Sequence, residues 1–136
     1  MALYLLDTNA FSALMDEHPR MLARAALLGG MDRAAICTIV RGEIRYGLER
    51  MPHGRRRREF ERKAAGLFLT TPCEDVPEAA GDVYARIKLD TERRGVPLDE
   101  NDLWIAATAL ALGATLVSSD TDFRRVSGLT VEDWTK

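Results

Sequence analysis

The chain has 136 residues, 46% of them hydrophobic and 29% charged, with 19 Lys and Arg against 21 Asp and Glu. A chain of that length is expected to form one domain, residues 1–136, that buries roughly two thirds of its unfolded surface and needs no disulfide or zinc staple. The formal net charge of −2 argues at first sight against a nucleic-acid partner, but the total hides a division: Arg41 to Lys63 carries nine basic and four acidic residues, and Asp99 to the end carries seven acidic and three basic. Met1 to Leu6 has no basic leader and meets Asp7 at once, so it does not read as a secretory signal. The uncharged run from Leu103 to Ser119 is shorter than the ~20 apolar residues of a membrane span. Cys37 and Cys73 show no CxxC spacing, and His18 and His53 stand alone, which fits reduced thiols in a cytoplasmic protein and no zinc site.

In chain order, Leu3 to Leu6 reads as a short strand covered on both faces. Asp7, Thr8 and Asn9 follow as cap-forming residues, and Phe11, Leu14 and Met15 then fall at helical spacing. Pro19 opens a second helix, carried by Met21, Leu22, Ala25 and Leu28 and stopped by Gly29 and Gly30. A second buried strand is expected over Ala35–Ile39, and a helix with Val40, Ile44, Leu48 and Met51 on one face ends at Pro52. Four consecutive arginines start an amphipathic helix from Arg55 to Leu69. A weak strand lies between Thr70 and Val76, and a long helix runs from Pro77 to Gly95. Another helix is capped at Asp99 and closed by Gly113, a strand spans Ala114–Val117, and a last strand is expected at Leu129–Val131. Repeated β-α units with short apolar strands predict an α/β fold with a central, mostly parallel sheet between helices.

In such a sheet the functional crevice lies beyond the carboxyl ends of the strands. Asp7 follows the first strand, Glu43 lies within the helix after the second, Asp102 sits at the start of a later helix beside Asp99, and Asp120 follows the fourth strand with Asp122 two residues on. Asp7, Asp99 and Asp120 are also placed to cap helices, and Asp102 to favour its helix dipole. Glu43 has no such role. It shares a helix face with Gly47, which costs roughly 1 kcal/mol relative to Ala and points to a close approach to the backbone. Four converging carboxylates repel one another unless a cation neutralises them, and an oxygen-only donor set suits Mg²⁺ or Mn²⁺.

LLDTN at Leu5–Asn9, GEIRYG at Gly42–Gly47, the stretch from Glu100 to Phe123 and GLTVEDW at Gly128–Trp134 resemble the PIN-domain ribonucleases, in particular the VapC-type toxins of type II toxin-antitoxin pairs. The resemblance covers nearly the whole chain. It implies a three-layer α/β/α fold and a metal-dependent endoribonuclease in which Asp7, Glu43, Asp102 and Asp120 are the catalytic, metal-holding acids. Asn9 and Ser118 are then supporting polar groups. Asp99, where many relatives carry a small residue, is read as the helix cap, and Asp122 as a supporting acid behind Asp120. The family further implies an RNA substrate cut by water activated by the cation, a homodimer, and a cognate antitoxin seated in an apolar groove. Phe11, Leu14, Met15, Met21 and Leu22 are candidates for that groove. Arg41, Arg45, Arg55, Arg56, Arg57 and Arg58 form the candidate RNA-binding arm. A PIN nuclease of RNA maturation, an acid-dependent phosphatase and a catalytically silent α/β binding module are the alternatives. The phosphatase would need a second Asp at the position of Asn9, and the silent module would be expected to lack one of the four acids.

Overall fold

A computed structural model describes residues 2–136. Five strands, β1 (Leu3–Leu6), β2 (Arg33–Cys37), β3 (Cys73–Glu74), β4 (Thr115–Val117) and β5 (Val131–Glu132), form one sheet in the order β3-β2-β1-β4-β5. Every pairing is parallel. The helices are α1 (Thr8–Met15), α2 (Pro19–Ala26), α3 (Thr38–Glu49), α4 (Arg55–Thr70), α5 (Glu78–Arg93) and α6 (Glu100–Leu112). A short 3₁₀ turn over Thr121–Arg125 follows β4. The result is the expected three-layer arrangement, and no helix among the described residues is long and apolar enough to cross a membrane.

The chain leaves β1 toward β2 on one side and later reaches β4 on the other, so the strand order reverses beside β1. A crevice opens at such a switch point, beyond the carboxyl ends of the two diverging strands. The strands meeting there are anchored by burial: Leu5, Leu6, Ile36, Cys37 and Leu116 are fully buried. Each Leu or Ile of this size stabilises the fold by about 1.5–3 kcal/mol. Phe11 on α1 is likewise buried and stacks on Phe68 of α4, with ring centroids 5.2 Å apart.

Several boundaries differ from expectation. The second strand ends at Cys37, and Thr38 and Ile39 open α3 instead. The last strand is Val131–Glu132, two residues later than its expected start. Helix α2 stops at Ala26, before Gly29 and Gly30. The arginine run also divides. Arg57 is turned inward, its side chain only 13% exposed, and donates to Glu61 at 2.6 Å, to the Met51 carbonyl at 3.1 Å and to Glu49 at 3.4 Å. It locks the corner between α3 and α4. Arg56 and Arg58 are exposed, and Arg55 reaches Glu59 only at 3.7 Å.

Arg57→Ala should therefore lower unfolding stability by about 2 kcal/mol in urea titrations, the loss expected for charge-assisted bonds at a half-buried corner. Arg58→Ala should change it by less than about 0.5 kcal/mol. Equal effects of the two substitutions would contradict this division.

Candidate active site

The crevice is built outward from Asp7, the first residue after β1 and only 3% exposed. Its backbone N–H donates to the Val117 carbonyl of β4 at 3.1 Å, which continues the β1–β4 ladder to the crevice edge. One carboxylate oxygen accepts the Ala10 N–H at 2.7 Å and caps α1, and the other accepts the Ser118 hydroxyl at 2.5 Å. Ser118 in turn accepts the N–H of Asp120 at 2.9 Å, and Asp120 accepts the N–H of Asp122 at 2.8 Å. One hydroxyl thus links the acids that follow two adjacent strands.

A second hydroxyl does the same for Glu43. Thr8, on the first turn of α1, donates to the Glu43 carboxylate at 2.6 Å across 35 positions of sequence. Asp102 completes the set from the first turn of α6. Burial lifts its carboxyl to about 6, and the charges of Asp120, Asp99, Glu43 and Asp7 push in the same direction. Burial also raises Asp7, against the lowering effect of its bonds to Ser118 and Ala10, and the charges of Asp120 and Glu43 add to the rise. The acids predicted from the strand ends are therefore electrostatically coupled around one crevice.

Among the described residues no three of these side chains converge closely enough to hold a metal ion as they stand. The donor set is nonetheless all oxygen, drawn from four parts of the chain, and burial and neighbouring negative charge disfavour the ionised forms of Asp7 and Asp102. That is the condition a hard divalent cation relieves.

The supporting residues sort differently. Ser118 is buried at the centre of the network, whereas Asn9 is exposed on α1. Asp99 stands at the N-cap position of α6, but its side chain makes no capping hydrogen bond; its carboxylate acts on Asp102 by charge instead. That corrects the cap reading. Asp122 turns its carboxylate to Arg125 at 3.0 Å and serves Asp120 through its backbone N–H. Gly47 meets no close approach from the chain itself, since a Cβ there would have nothing within 4 Å. Two clefts flank Glu43. One of about 490 Å³ is lined by residues including Thr8, Ser12, Gly47, Arg56 and Phe60, and one of about 530 Å³ by residues including Thr38, Gly42, Tyr46 and Asn101. In the sequence Thr8 reads only as a cap-forming residue, because nothing local ties it to a glutamate on another helix.

Residues 4–129 match the PIN domain family. The chain belongs to the PIN-domain family. It is 30% identical over 139 residues to Ribonuclease VapC1 of Haemophilus influenzae, a match covering 98% of this chain and 99% of that one. It is 29% identical over 137 residues to Ribonuclease VapC2 of Rickettsia felis, covering 98% and 99%. The crystal structure of VapBC2 from Rickettsia felis bound to a DNA fragment from their promoter superposes with a TM-score of 0.88 at 27% identity, covering 97% of this chain and 98% of that one. The PIN fold therefore extends over essentially the full length of the relatives, and the coupled acids lie within the matched span.

Asp102 sets a pH signature. Folded, it keeps its proton up to about pH 6, whereas an unfolded Asp releases it near about pH 4. Between those values the native state binds more protons, so stability falls as pH rises through the window. In chelating buffer at pH 7, Asp102→Asn should be more stable than the parent by about 1 kcal/mol, because solvent screens a half-buried group. The advantage should vanish below about pH 4. A variant no more stable than the parent at pH 7, in urea titrations across that range, would contradict the coupling.

Proposed function

We propose that the chain is the VapC-type ribonuclease toxin of a toxin-antitoxin pair, hydrolysing RNA phosphodiester bonds with Asp7, Glu43, Asp102 and Asp120 as catalytic, metal-holding residues. The observation that carries this reading is the pair of hydroxyls, Ser118 and Thr8, that hold Asp7 and Glu43 at the switch point. A helix cap alone does not require a buried carboxylate with a second oxygen bonded across strands. The family match and the full-length similarity to ribonucleases named VapC support the same assignment.

Bound between these acids, Mg²⁺ or Mn²⁺ would neutralise the phosphate and acidify the attacking water. The chain's own residues do the positioning. Ser118 keeps Asp7 from rotating and fixes the spacing between Asp7 and Asp120. Thr8 holds Glu43 toward the crevice. Asp120 spends one oxygen on the Asp122 N–H, which leaves the other to orient water. His18 accepts from the Met21 N–H at 3.4 Å as the cap of α2, so it is already committed to structure rather than to acid-base work.

RNA approaches an acidic crevice by way of exposed arginines. Arg56 and Arg58 are exposed members of the run on α4. Arg41 lies over the Phe68 ring at 4.3 Å, and Arg45 pairs weakly with Glu49 at 3.9 Å. These side chains, with Arg55, form the phosphate-attracting arm, and Arg57 acts through the fold.

The antitoxin reading rests on the solved VapBC complexes that the chain resembles. Leu14, Met15, Leu22 and Leu67 line a shallow cleft of about 300 Å³ between α1, α2 and α4 that suits an apolar segment. Phe11 and Met21, expected in that groove, are fully buried core instead. A homodimer working in the cytoplasm completes the proposal. The free thiols of Cys37 and Cys73 accord with a reducing compartment.

The purified chain should cut RNA in Mg²⁺ or Mn²⁺ and lose that activity in chelator. Asp7→Asn should reduce cleavage by more than about a hundredfold, and Ser118→Ala by about ten- to a hundredfold, with Ser118→Thr restoring most of it. Asp7→Asn cutting at the parental rate would place the active site elsewhere.

A further inference from the structure

Gly47 lies in the interior of α3, where glycine is the least favourable residue after proline. The usual reasons for keeping it there are missing. Its backbone is not among the positive-φ positions, and a Cβ built on it would meet nothing within 4 Å. Gly47 is an exposed position of α3 with open space beside it among the described residues, as at Gly42, and what sets it apart is the cleft it lines, shared by Glu43, Arg56 and Phe60.

That room opens into the cleft of about 490 Å³ beside Glu43, a size within the roughly 300–1,000 Å³ of sites that enclose small organic groups. Ile44, Leu48 and Met51 supply apolar lining. One wall is Arg56, whose guanidinium lies 5.5 Å from the centre of the Phe60 ring. A planar cation on an aromatic ring is a surface on which bases stack. Ser12 and Asp16 bring hydrogen-bonding groups to the same cleft, and Thr8 and Glu43 belong both to it and to the acidic site.

We propose that this cleft receives a nucleobase of the RNA strand next to the bond that is cut, with Gly47 as the residue that makes space for it. The proposal rests on the ribonuclease reading above, since continuity with Glu43 brings the flanking nucleotide here. The lining selects which part of that nucleotide enters: a flat, largely apolar base meets Ile44, Leu48, Met51 and the Phe60 ring, with Ser12 and Thr8 as hydroxyl partners and the Arg56 cation at the rim for the adjoining phosphate.

The test pairs a filled cleft with a missing base. Gly47→Leu puts a good helix former at this position, so the fold is retained and thermal unfolding verifies it. Cleavage at a mapped bond is measured on an oligoribonucleotide and on a set in which each flanking nucleotide in turn is abasic. In the parent, one abasic position should lower kcat/KM about five- to a hundredfold, the loss of one stacked base. Gly47→Leu should lose a similar factor on the intact RNA, mainly in KM, and be indifferent to that same abasic position. Losses that multiply, or a Gly47→Leu variant that cuts intact RNA like the parent, would overturn the proposal. If that variant also escapes inhibition by the antitoxin, the cleft belongs to the protein partner.

A binding measurement separates this proposal from the reading beneath it. With Asp7→Asn and oligoribonucleotides carrying 2-aminopurine at successive positions, one position should change fluorescence on binding, and Gly47→Leu should abolish the change. A chain that shows this signal and whose parent never cuts RNA keeps the base site and loses the ribonuclease mechanism. A chain that cuts RNA with no position-specific signal keeps the mechanism and loses the base site.

Discussion

The hydrogen bond from Ser118 to Asp7 ties the carboxyl end of β4 to that of β1 at the one place where the sheet reverses its strand order. Much of the crevice is organised around it. Without that bond Asp7 would be a helix cap with a buried, unpaired oxygen, costly in itself. With it, the Asp7 carboxylate is held between α1 and β4, and the same serine oxygen sets where Asp120 begins. Thr8 extends the arrangement to α3 by way of Glu43. Two neutral hydroxyls thus position three acids without neutralising them.

The neutral hydroxyls matter because, among the described residues, no Lys or Arg bonds to the carboxylates of Asp7, Glu43 or Asp120. Its basic residues are spent elsewhere. Arg57 locks the corner between α3 and α4, Arg24 lies 4.8 Å from the Trp134 ring and 3.3 Å from Glu132, and Arg125 engages Asp122. The cost of packing carboxylates together appears in the elevated Asp7 and Asp102. An ion pair would have removed that cost and also filled the coordination positions. A cluster left short of positive charge is one that favours a divalent cation.

The parallel sheet and its first acid are legible from the sequence because the central strands β1, β2 and β4 carry short apolar runs, and Asp7 follows β1 at once. The end of β2 was misplaced because Thr38, Ile39 and Val40 are β-branched and prefer strands. Packing overrides that preference: Val40, Ile44 and Leu48 are buried along one face of α3, and the same helix carries Glu43 to the crevice. The four arginines look equivalent in sequence, and only the fold shows that Arg57 faces Glu49, Glu61 and the Met51 carbonyl. Thr8 could not be tied to Glu43 across 35 positions. Gly47 was legible as an anomaly, but the open space beside it was not.

The cation site proposed at Asp7, Glu43, Asp102 and Asp120 is tested most directly by calorimetric titration of the metal-free chain with Mn²⁺ at pH 7. Saturable binding is expected, lost in Asp7→Asn and Asp102→Asn and retained in Asp122→Asn, whose carboxylate is already committed to Arg125. Absence of saturable binding, or binding that survives replacement of both Asp7 and Asp102, would contradict it.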